Sequence, residues 1–155
     1  MLDRFDVLIL EIWQKWGDIG PQGMSEKVHL SASQCSRRMQ RLRSEGYVQH
    51  IAAVLDAAKI GIGVHAYILL TLHSHSAECL EQFRQKIMDM DEVSECQTLT
   101  GISDVILKVS TYDLNSFNHF LNHELLSLPE VSTAHSNIVL SNIKSSTNFT
   151  LKYSN

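Results

Sequence analysis

Four guanidinium groups, Arg37, Arg38, Arg41 and Arg43, fall within seven positions of the stretch "LSASQCSRRMQRLRSEGYV", residues 30–48. The chain around them is acidic, with a formal net charge of -4 over 155 residues. Guanidinium forks pair with phosphates and with the guanine edge, and an amide such as that of Gln40 suits the adenine edge. The chemistry on offer is DNA recognition. The plain alternative is a solvated helix face, which is what most charge runs are.

Other reactive groups are sparse. His119 and His123 stand four apart in a helical pattern and could hold a metal. There is no Glu in the H-E-x-x-H position and no evident third ligand, so no metal site is expected. Cys35, Cys79 and Cys96 are odd in number and far apart, which fits small buried or half-buried thiols and neither a disulfide framework nor a zinc site. No nucleophile–base pair and no phosphate-binding glycine loop stands out, so neither a cofactor nor catalysis is expected.

The elements that must position the arginines begin at Asp3, a helix cap with Asp6 in the first turn. Phe5, Leu8, Ile9, Ile12, Trp13 and Trp16 follow helical spacing up to Gly17. A short helix from about Pro21 to Val28 comes next, then a turn at "HLS". Ser31 or Ser33 caps a third helix that runs to about Glu45 and stops at Gly46. On a wheel of about 100° per residue, Cys35, Met39 and Leu42 face the core. Ser33, Arg37, Gln40, Arg41 and Ser44 face outward, and Arg38 flanks the buried stripe. A short helix, a tight turn and a basic second helix make a helix-turn-helix. The expected DNA-binding set is Ser31, Ser33, Gln34, Ser36, Arg37, Arg38, Gln40 and Arg41.

The β-formers of "YVQHIAAVLD" suggest a strand or hairpin after the third helix. A division into residues 1–62 and 63–155 is expected. Charge supports it: eight Lys/Arg against seven Asp/Glu up to Lys59, then five against ten from Ile60 onward. Beyond the division, "HAYILLTL", "VSECQTLT", "DVILKVS" and "EVSTAHSNIVLSNIK" read as strands. "AECLEQFRQKIMDM" and "LNSFNHFLNHELLSL" read as amphipathic helices. The order βαββαβ is a ferredoxin-like α+β unit, with both helices on one face of an antiparallel sheet. Its other face needs a cover, most simply a second copy of the chain. The tail "STNFTLKYS" is a candidate edge strand.

The chain is 44% hydrophobic and 19% charged, the composition of a folded protein. No apolar run approaches the roughly 18 residues that span a bilayer, and no signal-peptide pattern opens the chain. The expected location is the cytoplasm.

Taken together, "LDRFDVLIL", "LSASQCSRRMQRLRSEGYV", "YILLTL", "VSECQTLTGISDVILKV" and "FNHFLNHELLSLPEVSTAHSNIVLSNIK", in this order and spacing, resemble the Lrp/AsnC (leucine-responsive, feast/famine) family of transcription regulators. The resemblance covers nearly the whole chain. It implies DNA binding as dimers that often assemble to octamers, and an amino-acid effector held near a Gly-Asp-Tyr-Asp-like turn between the second and third strands. That turn corresponds to Gly101, Ile102, Ser103 and Asp104, and the implied effector set is Leu99, Thr100, Gly101, Ile102, Ser103 and Asp104. Asp104 could pair with an α-amino group, and backbone N–H groups could hold the carboxylate. The other reading of the turn is a local one, with Gly101 at positive φ and Asp104 bonded to its neighbours. Ile102 stands where the family has an acid, Ser103 and Gln97 where it has aromatics, and Ser136 where a threonine is common. The missing acid favours an apolar or small polar effector over a basic one. A ligand-independent or architectural DNA-binding protein is the alternative, and a protein-interaction module is a further one. Haem-pathway decarboxylases resemble the same family, but their His- and Tyr-rich strand motif is absent here.

Overall fold

A computed structural model describes residues 2–151, which form two compact units: 2–54 with 144–151, and Leu55–Ile143. The first unit is helical: α1 (Arg4–Trp13), α2 (Pro21–Val28) and α3 (Ala32–Ser44). Asp3 and Asp6 close the N-terminus of α1 reciprocally, each side chain accepting the other's backbone N–H at 2.8 and 3.0 Å. The helix ends at Trp13, short of Gly17, with Gln14 as its C-cap. Ile9 and Trp13 of α1, Met24 and Val28 of α2, and Cys35, Met39 and Leu42 of α3 make one buried cluster.

Residues 47–56 form no strand. The β-formers there have no neighbouring strand with which to complete a ladder, and Val54 and Leu55 lie exposed. The expected tail strand is also missing through residue 151; the rest of it lies outside the described residues. Instead, residues 144–151 join the first unit. There the Gln14 amide grips the Phe149 backbone both ways, at 2.9 Å each. Within the described residues the compact units part at Val54/Leu55, with 144–151 on the helical side.

The second unit contains β1 (Val64–Leu72), α4 (Ala77–Met88), β2 (Val93–Thr98), β3 (Val105–Thr111), α5 (Leu114–His119) and β4 (Val131–Ile138). The order is the expected βαββαβ. The sheet runs β2-β3-β1-β4 and is antiparallel throughout. Strand alternation puts Ala66, Ile68 and Leu70 of β1 and Val105, Leu107 and Val109 of β3 into a core with Phe83, Phe117 and Phe120. The opposite face carries Tyr67 and Leu69 of β1, Ile106 and Lys108 of β3 and His135 of β4. The helix α5 does not run on as an α-helix: Phe120–Leu125 is a π-helical turn, with the Leu126 N–H bonded to the Leu121 carbonyl at 2.9 Å. Cys35 is buried and Cys79 half-buried as expected, whereas Cys96 is exposed on the outer strand β2. Among the described residues no helix is long and apolar enough to cross a membrane.

Two features fix the strand ends. The N–H of Gly63 is shared between the carbonyls of Thr111 and Tyr112 at 3.1 Å each, and a Cβ on Gly63 would stand 2.6 Å from the Tyr112 carbonyl oxygen. Gly63→Ala must therefore push two backbones apart. A loss of about 1–3 kcal/mol is expected, and a thermal melt checks it.

The second feature is Glu130, 5% exposed, which accepts both its bonds from Lys86 Nζ, at 2.7 and 2.9 Å. The ammonium outweighs burial and holds the Glu130 carboxyl below the usual carboxylate range. The stability this adds is fully present above the unfolded-state value of about 4.3, and it is lost as pH falls through the lower folded value. Acid melts should show a steeper loss below about pH 4.3 for wild type than for Glu130→Gln. Parallel curves would mean that the pair is not linked to folding.

Candidate nucleic-acid interface and ligand turn

The tight turn between α2 and α3 forms at His29, which closes α2 in a left-handed conformation at φ 57°. Ser31, and not Ser33, then caps α3 in a reciprocal box. The Gln34 N–H donates to Ser31 Oγ at 3.2 Å, and the Ser31 N–H donates to Gln34 Oε1 at 3.0 Å. Two residues of the expected DNA set, Ser31 and Gln34, are thereby committed to starting the helix. Buried Cys35, Met39 and Leu42 fix which side of α3 faces inward.

The arginines divide. Arg38 Nη1 donates to Asp3 Oδ2 at 2.7 Å and to Asp6 Oδ1 at 2.6 Å. Arg41 pairs with the other oxygen of Asp6 and lies 3.8 Å from Glu45. Arg43 sits over the Trp13 ring at 5.6 Å. Arg38 and Arg41 belong to the expected DNA set; here their guanidiniums turn to the carboxylates of Asp3, the cap of α1, and Asp6. Arg37 and Gln40 have no side-chain partner among the described residues, and both are exposed. With Ser33, half-buried Ser36 and Ser44 they make one outward stripe at i, i+3/i+4, i+7 spacing.

Asp3 and Asp6 were legible as a cap but not as partners of Arg38 and Arg41. The available signal was the shared i, i+3 spacing of opposite charges on two helices that must pack. Asp6 is fully buried and receives three bonds. For Asp3, burial pushes the carboxyl up. The Asp6 N–H and the Arg38 guanidinium outweigh it and hold the group below its ordinary value. Arg38 is correspondingly raised, first by its bond to Asp3.

The turn between β2 and β3 is closed by the Leu99 N–H, which donates to the Asp104 carbonyl at 2.7 Å, while the Asp104 N–H donates to Leu70 at 2.8 Å. Gly101 sits at φ 137°, and Ile102 is 100% exposed. The N–H groups of Thr100, Gly101, Ile102 and Ser103 donate to no acceptor among the described residues. The Asp104 carboxylate is taken: Oδ1 by His75 Nε2 and Oδ2 by the Leu72 N–H, both at 2.8 Å. These bonds, His75 first, hold it below the usual carboxylate range. An α-amino group would thus have to share Asp104 with His75, a partner that spacing along the chain did not reveal.

Residues 2–43 match the AsnC-type helix-turn-helix domain, and residues 65–149 match the Lrp/AsnC ligand binding domain. The chain is 34% identical to a proline dehydrogenase transcriptional activator of Rhizobium radiobacter, over 92% of each protein. It is 30% identical to the leucine-responsive regulatory protein of Escherichia coli strain K12, over 97% of this chain and 92% of that one. A transcriptional regulator of Neisseria meningitidis, solved as its L-methionine complex, superposes with a TM-score of 0.93 at 34% identity over 97% of both chains. An AsnC family regulator from Agrobacterium tumefaciens gives 0.90 at 28% identity, over 96% of this chain and 97% of that one.

Proposed function

This chain belongs to the Lrp/AsnC family of DNA-binding transcriptional regulators, and on that premise we propose which of its residues read DNA, what binds the turn and how copies pair. Ser33, Ser36, Arg37 and Gln40 read the major groove, Arg37 suiting guanine and Gln40 adenine. Ser31 and Gln34 present the N-terminus of α3 to the phosphates, whose charge the helix dipole favours. The observation that carries this reading is the exposed pair Arg37 and Gln40, without side-chain partners among the described residues, opposite the buried Cys35, Met39 and Leu42. The protein is a regulator and not an enzyme, and it works in the cytoplasm, where the DNA is.

The open sheet face, with Tyr67, Leu69 and Ile106 at its centre, covers itself with a second copy. The dimer then offers two recognition helices, so its operator is an imperfect palindrome with half-sites about one helical turn or a multiple apart. Octamers of four dimers are the larger assembly. A concentration-independent monomer in analytical ultracentrifugation would exclude both.

The effector is an apolar amino acid at the turn from Leu99 to Asp104. Relatives that respond to leucine, or were solved with L-methionine, support that class. The N–H groups of Thr100 to Ser103, without acceptors among the described residues, suit its carboxylate, its ammonium shares the Asp104 carboxylate with His75, and Ile102 offers an apolar wall. Titration calorimetry with L-leucine and L-methionine tests this. Asp104→Ala should abolish binding and leave ligand-free DNA affinity within about twofold, because coupling needs a differential contact. Heat from Asp104→Ala equal to that of wild type would place the site elsewhere. Should no amino acid bind wild type, the His75–Asp104 pair marks a ligand-independent regulator.

A further inference from the structure

A helix that enters DNA carries two kinds of attraction. Sequence-independent affinity scales with the number of phosphates its cations neutralise; base contacts add the sequence-dependent part. Four arginines on α3 would raise the first term for every site in the genome alike and dilute the second. The structure avoids this. Two of the four cations are opposed by the carboxylates of Asp3, which caps α1, and Asp6, within it, and a third stacks on Trp13.

Asp6 is the centre of the arrangement. Its side chain is 1% exposed, so solvent and salt do not compete for it. One oxygen holds Arg38; the other holds Arg41 and the Asp3 N–H. Both arginines retain access to solvent, at 26% and 43%, so each could swing outward once released. Fastening α1 to α3 does not by itself call for ions, because apolar side chains of similar volume do as well or better in a buried contact. Withholding charge from the DNA face does call for them.

We infer that Asp6, assisted by Asp3, determines specificity without touching DNA, by withholding Arg38 and Arg41 from phosphates. The inference rests on α3 being the helix that enters the groove.

The test uses the full-length chain and a random-sequence duplex, with binding followed by fluorescence anisotropy across a salt titration. Asp6→Asn should steepen the slope of log affinity against log salt by about 0.9 for each arginine that reaches a phosphate, so by at most about 1.8. Adding Arg38→Gln and Arg41→Gln to Asp6→Asn should return the slope to its wild-type value. A contact that merely fastened two helices would change the melting temperature and leave the slope alone. Circular dichroism confirms that each variant is folded at the temperature used. If Asp6→Asn does not fold, two milder variants decide. Asp3→Asn, on the exposed residue, should steepen the slope by up to about 0.9. Arg41→Gln in the otherwise wild-type chain should leave it unchanged. A slope that drops by about 0.9 in Arg41→Gln means that this arginine already sits on a phosphate and overturns the inference. An unchanged slope in folded Asp6→Asn overturns it as well. Arg37→Ala, measured on an operator selected from a random duplex library, separates the two levels: if it weakens operator binding while the Asp6→Asn slope on random DNA stays put, only the withholding role is wrong. If it changes nothing, the reading of α3 fails and takes this inference with it.

Discussion

Asp6→Ala should destabilise the helical unit by roughly 2–3 kcal/mol, less than the 3–5 typical of breaking a fully buried pair, because both arginines keep some solvent. The cost has two sources. Arg38 and Arg41 lose their shared acceptor, and Arg38 is left with Asp3 alone. The Asp3 N–H also loses the Asp6 Oδ2 that capped it at 3.0 Å, one half of the reciprocal box that starts α1. A fall in melting temperature of about 5–15 °C is the expected readout. Asp6→Asn should fall less, since its amide oxygen can still accept one of those bonds. Removing the charges as a set, with Arg38→Met and Arg41→Met added to Asp6→Ala, should recover part of the loss, because no buried ion is then left alone. Equal melting of Asp6→Ala and wild type would show that the network contributes nothing.

That network also marks the limit of what the amino-acid pattern reveals. Helical periodicity separates Cys35, Met39 and Leu42 from Ser33, Arg37 and Gln40, and the structure keeps this division. Periodicity orients a helix toward a core but does not say which neighbour lies along its flank. Arg38 and Arg41 lie on that flank, and the aspartates that hold them, Asp3 and Asp6, are thirty or more residues away in sequence, so wheel position alone does not reveal the pairing. The same limit explains His75, which meets Asp104 only because β1 and β3 pair in the observed register. The βαββαβ order was readable because alternation with period two and spacing near 3.6 differ plainly over seven or more residues. The π-helical turn at Phe120–Leu125 was not, since one wider turn leaves Phe117, Phe120, Leu121 and Leu125 on the apolar side. Residues 47–56 show a different failure. β-propensity states what a segment would do beside a strand and cannot supply the strand.

The outward stripe of α3 carries the other large expectation. Arg37→Ala combined with Gln40→Ala should weaken binding to an operator selected from a random duplex library by roughly 2–6 kcal/mol, taking about 1–3 for each bidentate base contact. At 1.4 kcal/mol per decade that is a loss of about thirtyfold to about twenty-thousandfold. The two sites are three residues apart on one face, so their effects can couple, and the single variants must be measured beside the double. Neither side chain has a partner among the described residues, so the melting temperature should stay within about 2 °C of wild type, as for ordinary surface substitutions. The comparison that identifies base reading is against random DNA. A base contact lowers operator affinity far more than random-duplex affinity, whereas a phosphate contact lowers both equally and flattens the salt dependence by about 0.9. Arg37→Ala should behave as the first kind. Arg38 and Arg41, held on Asp6, should behave as neither. A double variant that binds the selected operator as tightly as wild type would remove α3 from the groove.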